Sequence, residues 1–314
     1  MTLREALYGR LFPRWEPPSA LRPTTSSRSD PPLRVSWLGT AGHVVRTRTT
    51  TILIDPYVSR SSLGTLAMSR LVPDDAAIAR WIPPHVDAVL CGHSHFDHLM
   101  DGPRIALLRG ARIVGSESTA AFARAAGVPT DNIEVVLAKG RTLQIGDVEV
   151  EFVPSLHGRI ALGRVPFVGE VHGTARTPAR MWDYKMGGAF GLFLRAPDVS
   201  LYHNGSADLV DAELQGRHAD ALIVGLAGRK DTRDYVDRLL HVLSPHVIIP
   251  THHDAFFAPL ERGLHLLPSI DIAGFVRDVR RARPSSRVVA TNYEEEISVG
   301  PRGDDASVSA LSSS

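Results

Sequence analysis

Short apolar runs, each closed by a Gly, Pro or polar cluster, recur along most of this chain, and the majority are too short to be helices. Residues 33–38 (LRVSWL) read as a strand running into a tight turn at Gly39–Gly42, with 43–47 and 51–54 as the next two strands. Residues 86–90 read as a short buried strand and 111–115 as a further strand, each apolar but for one charged residue. Segments 133–136, 142–145 and 148–153 alternate apolar and polar positions, predicting three strands of a meander. Further strands are expected at 188–195, 199–203, 220–225, 247–250 and 287–290. Helical spacing predicts helices over 99–108, 117–126, 232–243 and 275–282. Residues 60–84 form a polar, Pro-marked excursion, and 158–186 a long insertion of the kind that walls a pocket. Each half runs strands first and helix afterwards, which suggests a duplicated layer.

The ends read differently. Residues 3–11 are spaced as one amphipathic helical stretch, and RPTTSSRSDPP at 22–32 reads as a linker. Tyr8, Leu11, Phe12 and Trp15 fit docking on the main domain, while a frayed tail is the open alternative. The expected division is an extension and linker at 1–32, one domain at 33–298 and a small, polar, disordered tail at 299–314.

Chemistry concentrates just after the 86–90 strand, in HSHFDH. In an extended segment His93, His95 and Asp97 share a face, and His98 joins them only if the chain turns there. Imidazole and carboxylate together suit zinc or another first-row divalent ion. A chance HxHxDH in a chain of this composition arises in roughly two of a thousand sequences, so the motif is read as a metal site. His157, in SLHG beyond a strand end, is a further candidate, as is the carboxylate of Asp208 after the 199–203 strand. Lys plus Arg against Asp plus Glu is 35 against 34, a net charge of +1, which argues against a polyanion partner such as a nucleic acid. No apolar run reaches the ~18–20 residues of a membrane span. The single Cys91 excludes an internal disulfide and fits a cytoplasmic location.

Taken together, WLGTAGH…TILIDP, HSHFDH, SLHG, HNGSAD and IPTHHD, in this order, resemble the metallo-β-lactamase superfamily over about residues 35–297. Among its branches, DAVLCGHSHFDHLMD and DPYVSR look most like those of the ascorbate-phosphate lactonases and phospholipase-D-like phosphodiesterases. The resemblance implies an α/β fold, a four-layer αββα sandwich of two mixed β-sheets with helices on the outer faces. By position it implies that His93, His95 and His157 hold a first metal, and Asp97, His98 and His252 a second. A carboxylate after the 199–203 strand would bridge them. Here the pattern departs: the expected carboxylate position, after Gly205, is Ser206, and the bridge is assigned to Asp208 two residues on. The alternative is that Asp208 caps the next helix and the second ion is weak or absent.

The implied chemistry is a metal-dependent hydrolase of a small-molecule ester, lactone or phosphodiester. A binuclear centre of two divalent ions (zinc, with manganese, iron or nickel also suited) would make hydroxide available at neutral pH, and Asp97 and His95 are the residues expected to be essential. A non-catalytic or mononuclear metal-binding protein of the same fold is the competing reading. A nuclease is disfavoured by the near-neutral charge. Around the ligands, Asp55 is expected to be an ordinary strand-end turn residue, with a buried role behind the metal loop as the other option. His253 should point away from His252, and Asp254 is expected to return to orient a ligand imidazole. His172 is a candidate substrate contact and His203 a candidate neighbour of the ligands, and a plain structural role is open for both. Arg159, Arg164, Arg180 and Lys185 offer a phosphate or carboxylate site or are solvated loop charges. Phe167, Val168, Trp182 and Tyr184 suggest an apolar pocket wall.

Overall fold

The central strands of this chain are largely buried on both faces, and the two faces belong to different cores. In the computed structural model, which describes residues 8–23, 31–160, 163–293 and 295–301, one sheet has strand order β14-β1-β2-β3-β4-β5-β6. These strands are β1 (Leu33–Gly39), β2 (Gly42–Arg46), β3 (Thr51–Ile54), β4 (Ala88–Leu90), β5 (Arg112–Gly115), β6 (Ile133–Val135) and β14 (Glu296–Val299). The second sheet has order β13-β12-β11-β10-β9-β8-β7. It comprises β7 (Arg141–Ile145), β8 (Val148–Pro154), β9 (Phe190–Ala196), β10 (Val199–Asn204), β11 (Ala221–Gly225), β12 (Val247–Thr251) and β13 (Arg287–Val288).

Alternation along each strand builds the layers. Leu90 and Val114 from the first sheet meet Val150, Leu192, Leu201 and Ile223 from the second in one inner core. Their neighbours Val89 and Ile113 face outward, against Ile105 and Phe122 of the covering helices. On the far side Tyr202, Leu222 and Ile248 pack against Leu239, Phe275 and Val279. The covering helices of the first sheet are α4 (Gly102–Arg109) and α5 (Glu117–Ala125), and those of the second are α7 (Tyr235–Leu243) and α8 (Ile272–Ala282). The result is the four-layer αββα sandwich, with parallel and antiparallel pairs in both sheets.

Several segments depart from the expected pattern. The 133–153 stretch is not one meander: β6 runs parallel to β5, while β7 and β8 form a hairpin whose partner is β9. Helix α5 carries the chain across before β6, and local alternation carries no information about which sheet a strand joins. The 60–84 excursion contains α1 (Leu63–Met68) and α2 (Asp75–Trp81), capped by Ser62 and Asp74. The helix expected over 99–108 is two pieces, a single turn α3 (Phe96–Leu99) and then α4. A short helix α6 (Asp211–Leu214) follows β10. Strand β14 closes the first sheet against β1, a pairing that the sequence reading missed.

Residues 8–11 are helical, as the start of the chain led one to expect; residues 1–7, 24–30 and 302–314, which carry the rest of that stretch, much of the linker and most of the tail, lie outside the described residues. The segment 8–23 docks on the domain. Phe12 is buried, and Leu21 enters the outer core of the second sheet. Trp15 N–H donates to Leu264 O (2.9 Å), Leu266 N–H to Pro13 O (2.9 Å) and Ala290 N–H to Leu21 O (2.8 Å).

Candidate metal centre

Strand β4 ends at Leu90, and the residues after it are set by Asp55 rather than by continued extension. Asp55 N–H donates to Leu90 O (2.9 Å), and its Oδ1 accepts from Gly92 N–H (2.7 Å). Its Oδ2 accepts from His98 Nδ1 (2.8 Å). Asp55 is thus a buried carboxylate that holds the HSHFDH loop, not an ordinary turn residue. The chain turns immediately, with α3 starting at Phe96, and this turn brings Asp97 and His98 inward.

Two convergent groups result. The ligand atoms of His93, His95 and His157 lie within 4.8 Å of one another, and so do those of Asp97, His98 and His252. His157 follows the end of β8 and His252 the end of β12, so the second sheet supplies one residue to each group. His95 Nε2 donates to Pro166 O (3.0 Å) and His157 Nδ1 to Gly158 O (2.6 Å). Their remaining nitrogens, His95 Nδ1 and His157 Nε2, face each other at 3.2 Å. His93 Nε2 is buried with no hydrogen-bond partner. Asp97 Oδ2 lies 3.2 Å from His252 Nε2 and 3.7 Å from His98 Nε2.

Burial, followed by repulsion from neighbouring imidazoles, holds His93 well below its ordinary range. Burial likewise lowers His95 to about 4, and burial with the charge of His95 lowers His157 to about 3. All three are neutral at pH 7, with lone pairs free to bind. Burial resists ionisation of Asp97, but His98, His252 and His95 outweigh it and hold the carboxyl below the usual range. Burial also opposes charge on His98, and the carboxylates of Asp55 and Asp97 outweigh it, raising that imidazole. An orphaned buried nitrogen, neutral imidazoles with their outer N–H groups fixed, and an ionised carboxylate fit a first-row divalent cation.

The second group depends on an unusual backbone. His252 has φ +53°, and its N–H donates to Thr40 O (2.8 Å), which also accepts from Thr251 Oγ1 (2.6 Å) and Trp37 Nε1 (2.9 Å). Thr40 (φ +46°) is itself anchored by its N–H to Asp254 Oδ1 (2.8 Å). Asp254 does not orient a ligand imidazole. Its Oδ2 forms a fully buried ion pair with Arg60 Nη1 (2.8 Å) and accepts from Tyr293 Oη (3.0 Å). At Gly39 a Cβ would lie 1.6 Å from Arg60 Nη2, so only glycine admits the guanidinium. His253 points away from the ligands, stacked on Trp37 at 4.4 Å.

Asp208 is not brought to either group. Its Oδ1 accepts from Leu209 N–H (2.9 Å) and stands 3.9 Å from Arg238 Nη1. Ser206 lies nearer the ligands, its hydroxyl accepting from Gly158 N–H (2.9 Å) beside His157. A tight turn explains the difference: Asp208 N–H bonds back to Ser206 O (3.0 Å), which sends the later carboxylate outward. His172 is exposed beside Glu170 (3.3 Å). His203 is buried, and its Nε2 donates to Ala41 O (2.9 Å) rather than facing the two groups.

All members of the two groups except His93 line a cavity of 510 Å³. Its walls are apolar: Leu63 and Leu66 of α1, Phe96, Phe167, Phe256 and Phe257. No lysine or arginine lines it among the described residues, so Arg159, Arg164, Arg180 and Lys185 lie elsewhere. Of the four insertion residues expected to form an apolar wall, only Phe167 reaches it. Val168 is exposed, Trp182 carries Arg180 over its ring, and Tyr184 is buried in a stack on Phe122. The contributions of α1 and of Phe256 and Phe257 were missed, although the Ser62 cap and the FF pair were visible in the sequence.

A four-layer sandwich with His and Asp side chains gathered where strands of both sheets end defines a metallo-β-lactamase fold. The sequence profile of the beta-lactamase superfamily domain matches residues 34–252. The chain belongs to this superfamily. A metal-dependent hydrolase of Opitutus terrae is 26% identical over 226 residues, covering 71% of this chain and 86% of that protein. One of Pyrobaculum arsenaticum is 28% identical over 230 residues, covering 71% and 85%. Among solved structures, Igni18, a metallo hydrolase of Ignicoccus hospitalis, superposes with TM-score 0.54 at 16% identity, covering 84% of this chain and 97% of that one. CmlA, a diiron β-hydroxylase from Streptomyces venezuelae, gives 0.53 at 17% identity, covering 84% and 53%. The likeness to these two structures is one of fold.

Proposed function

We propose that the protein is a metal-dependent hydrolase of neutral esters or lactones that carry an apolar group. The observation that carries this reading is the pairing of a His/Asp cluster with an apolar, cation-free cavity directly above it. A phosphodiester monoanion would find no guanidinium or ammonium among the described lining residues. The metallo hydrolase relatives support the same class.

His93, His95 and His157 would hold one divalent cation and Asp97, His98 and His252 a second, with zinc favoured by the nitrogen-rich ligands. Bound there, such cations supply Lewis-acid polarisation and bring the pKa of water towards about 7. The chain's own contribution is positional. Pro166 O, Gly158 O and Asp55 Oδ2 fix the ligand rings, which sets the direction of each lone pair. Asp97, kept ionised, accepts a hydrogen bond from water at an Oδ atom and orients it towards the substrate carbonyl. The apolar walls exclude bulk water and strengthen these polar interactions. The outward turn of Asp208 favours a second reading, in which only the three-histidine group holds its ion tightly and the other group is filled weakly.

The test is turnover of p-nitrophenyl butyrate and of bis-p-nitrophenyl phosphate by the purified protein, with and without chelator, beside His95→Ala. Ester turnover that chelation abolishes and His95→Ala lowers by at least a hundredfold is expected. Ester turnover indifferent to both, or a preference for the phosphodiester, overturns the reading.

A further inference from the structure

The start of the chain reaches the cavity wall through two layers of contact. Beyond His252, the chain at Asp254 pairs antiparallel with Leu266, and His265 pairs antiparallel with Arg14. Ala255 N–H donates to His265 O (2.6 Å) and Leu267 N–H to His253 O (3.0 Å). Leu266 N–H and Trp15 N–H complete the outer pairing with Pro13 O and Leu264 O, both at 2.9 Å, and His265 Nδ1 donates to Phe12 O (2.7 Å). Residues 12–15 are therefore the outer edge of a small ribbon whose inner edge is the chain just after a ligand.

The side chains follow the same path. The Phe12 ring is 7% exposed and packs 5.6 Å from that of Phe257. Phe257 packs 4.5 Å from Phe256, which packs 5.5 Å from His252. Phe256 and Phe257 line the cavity, and Phe12 does not. Phe257 thus touches both the cavity and the buried Phe12, so the volume of Phe12 limits how far that wall can shift towards it.

We propose that Phe12 is a specificity-determining positioning residue, which acts through Phe257 to set the length of apolar chain the cavity admits. This rests on the reading of that cavity as the place of the substrate's apolar group. In the wild type, affinity for a homologous series rises with each methylene until the chain meets the Phe256–Phe257 wall, then levels off. Removing the Phe12 ring leaves space that Phe257 can occupy, and the series continues further.

The experiment measures displacement of the fluorophore N-phenyl-1-naphthylamine from the full-length protein by the 1-alkanols from butanol to dodecanol. Alkanols have no scissile bond, so the readout is independent of turnover. In Phe12→Ala the gain per methylene, on the order of fourfold in affinity, should continue for one or more carbons past the wild-type plateau. Phe12→Leu, which keeps an apolar side chain and guards against a folding defect, should move the plateau in the same direction by less. An unmoved plateau in both variants, an equal loss of affinity at every length, or no displacement from the wild type would each sink the proposal. Ester turnover is assayed in parallel. A shifted plateau in a protein that hydrolyses no ester would leave this inference standing and overturn the catalytic reading instead.

Discussion

Ser206 and Asp208 stand two positions apart after β10, and one backbone hydrogen bond decides between them. The Asp208 N–H to Ser206 O turn aims the carboxylate at Leu209 N–H and Arg238 and leaves the Ser206 hydroxyl on the Gly158 N–H next to His157. Asp208→Ala is accordingly expected to leave metal content, counted per chain by elemental analysis, unchanged. A drop in the mutant would mean that the carboxylate swings inward. His253 gives a second test at this scale. Buried against Trp37, it titrates at about 4 because burial disfavours its charge, with the nearby Asp254 only partly offsetting. The unfolded chain takes up that proton near pH 6.5 and the native state does not. Stability is therefore full above pH 6.5 and falls as the pH drops towards 4, by up to about 3 kcal/mol from this residue. The lowered values of His95 and His157 act with the same sign. His253→Phe should flatten that acid limb when urea midpoints are compared from pH 4.5 to 7; an equally steep limb would show that the residue does not titrate this way. At this scale the convergence of six of the seven expected donors was legible, because four fall within six positions and His157 and His252 sit three residues and one residue past the ends of β8 and β12. Asp208 was misjudged, since the direction of a turn depends on φ/ψ values that residue type does not dictate.

Elements meet at the site through the strand-end loops, and the strongest tie is polar. Arg60, from the loop after β3, reaches Asp254 beyond β12 at 2.8 Å, both side chains almost wholly buried. Arg60 Nε also donates to Tyr57 O (3.0 Å) and its Nη2 to Leu38 O (3.2 Å), so the guanidinium joins three segments. Removing one partner strands a buried charge. Arg60→Ala should cost about 3–5 kcal/mol in urea unfolding, and adding Asp254→Asn should recover part of it. A loss below about 1 kcal/mol would mean that the pair does not anchor the His252 turn. The same loop region is steadied from α4: Asp101, preceding that helix, accepts from Val58 N–H (2.7 Å) and Ser59 N–H (2.9 Å). None of these pairings leaves a periodic trace. The α1 and α2 helices were missed for a related reason, since each is shorter than two turns and shows only its cap.

On the scale of the whole molecule the candidate centre draws on both sheets. His93, His95, Asp97 and His98 follow β4 of the first sheet, whereas His157 and His252 follow β8 and β12 of the second. A cation held by either group joins both sheets, and since it binds the folded chain alone it adds stability by mass action, about 2.7 kcal/mol at a free concentration 100 times its Kd. Chelation should therefore lower the Tm of the wild type, and it should lower that of His95→Ala by clearly less. Equal shifts would place the chelator's effect elsewhere. By itself the sequence determined what is local: which stretches are strands, that the HSHFDH loop follows one of them, and that its donors suit a divalent ion. These follow from side-chain periodicity and ligand chemistry, which act over a few residues. Only the tertiary structure decided that β6 and β7 part into different sheets, that Asp208 turns outward, that the cavity is walled by α1 and Phe256–Phe257, and that residues 12–15 brace that wall. Each of these is a contact between distant segments, selected by packing volume and by the need to pair buried polar groups, and neither quantity exists until the chain has folded.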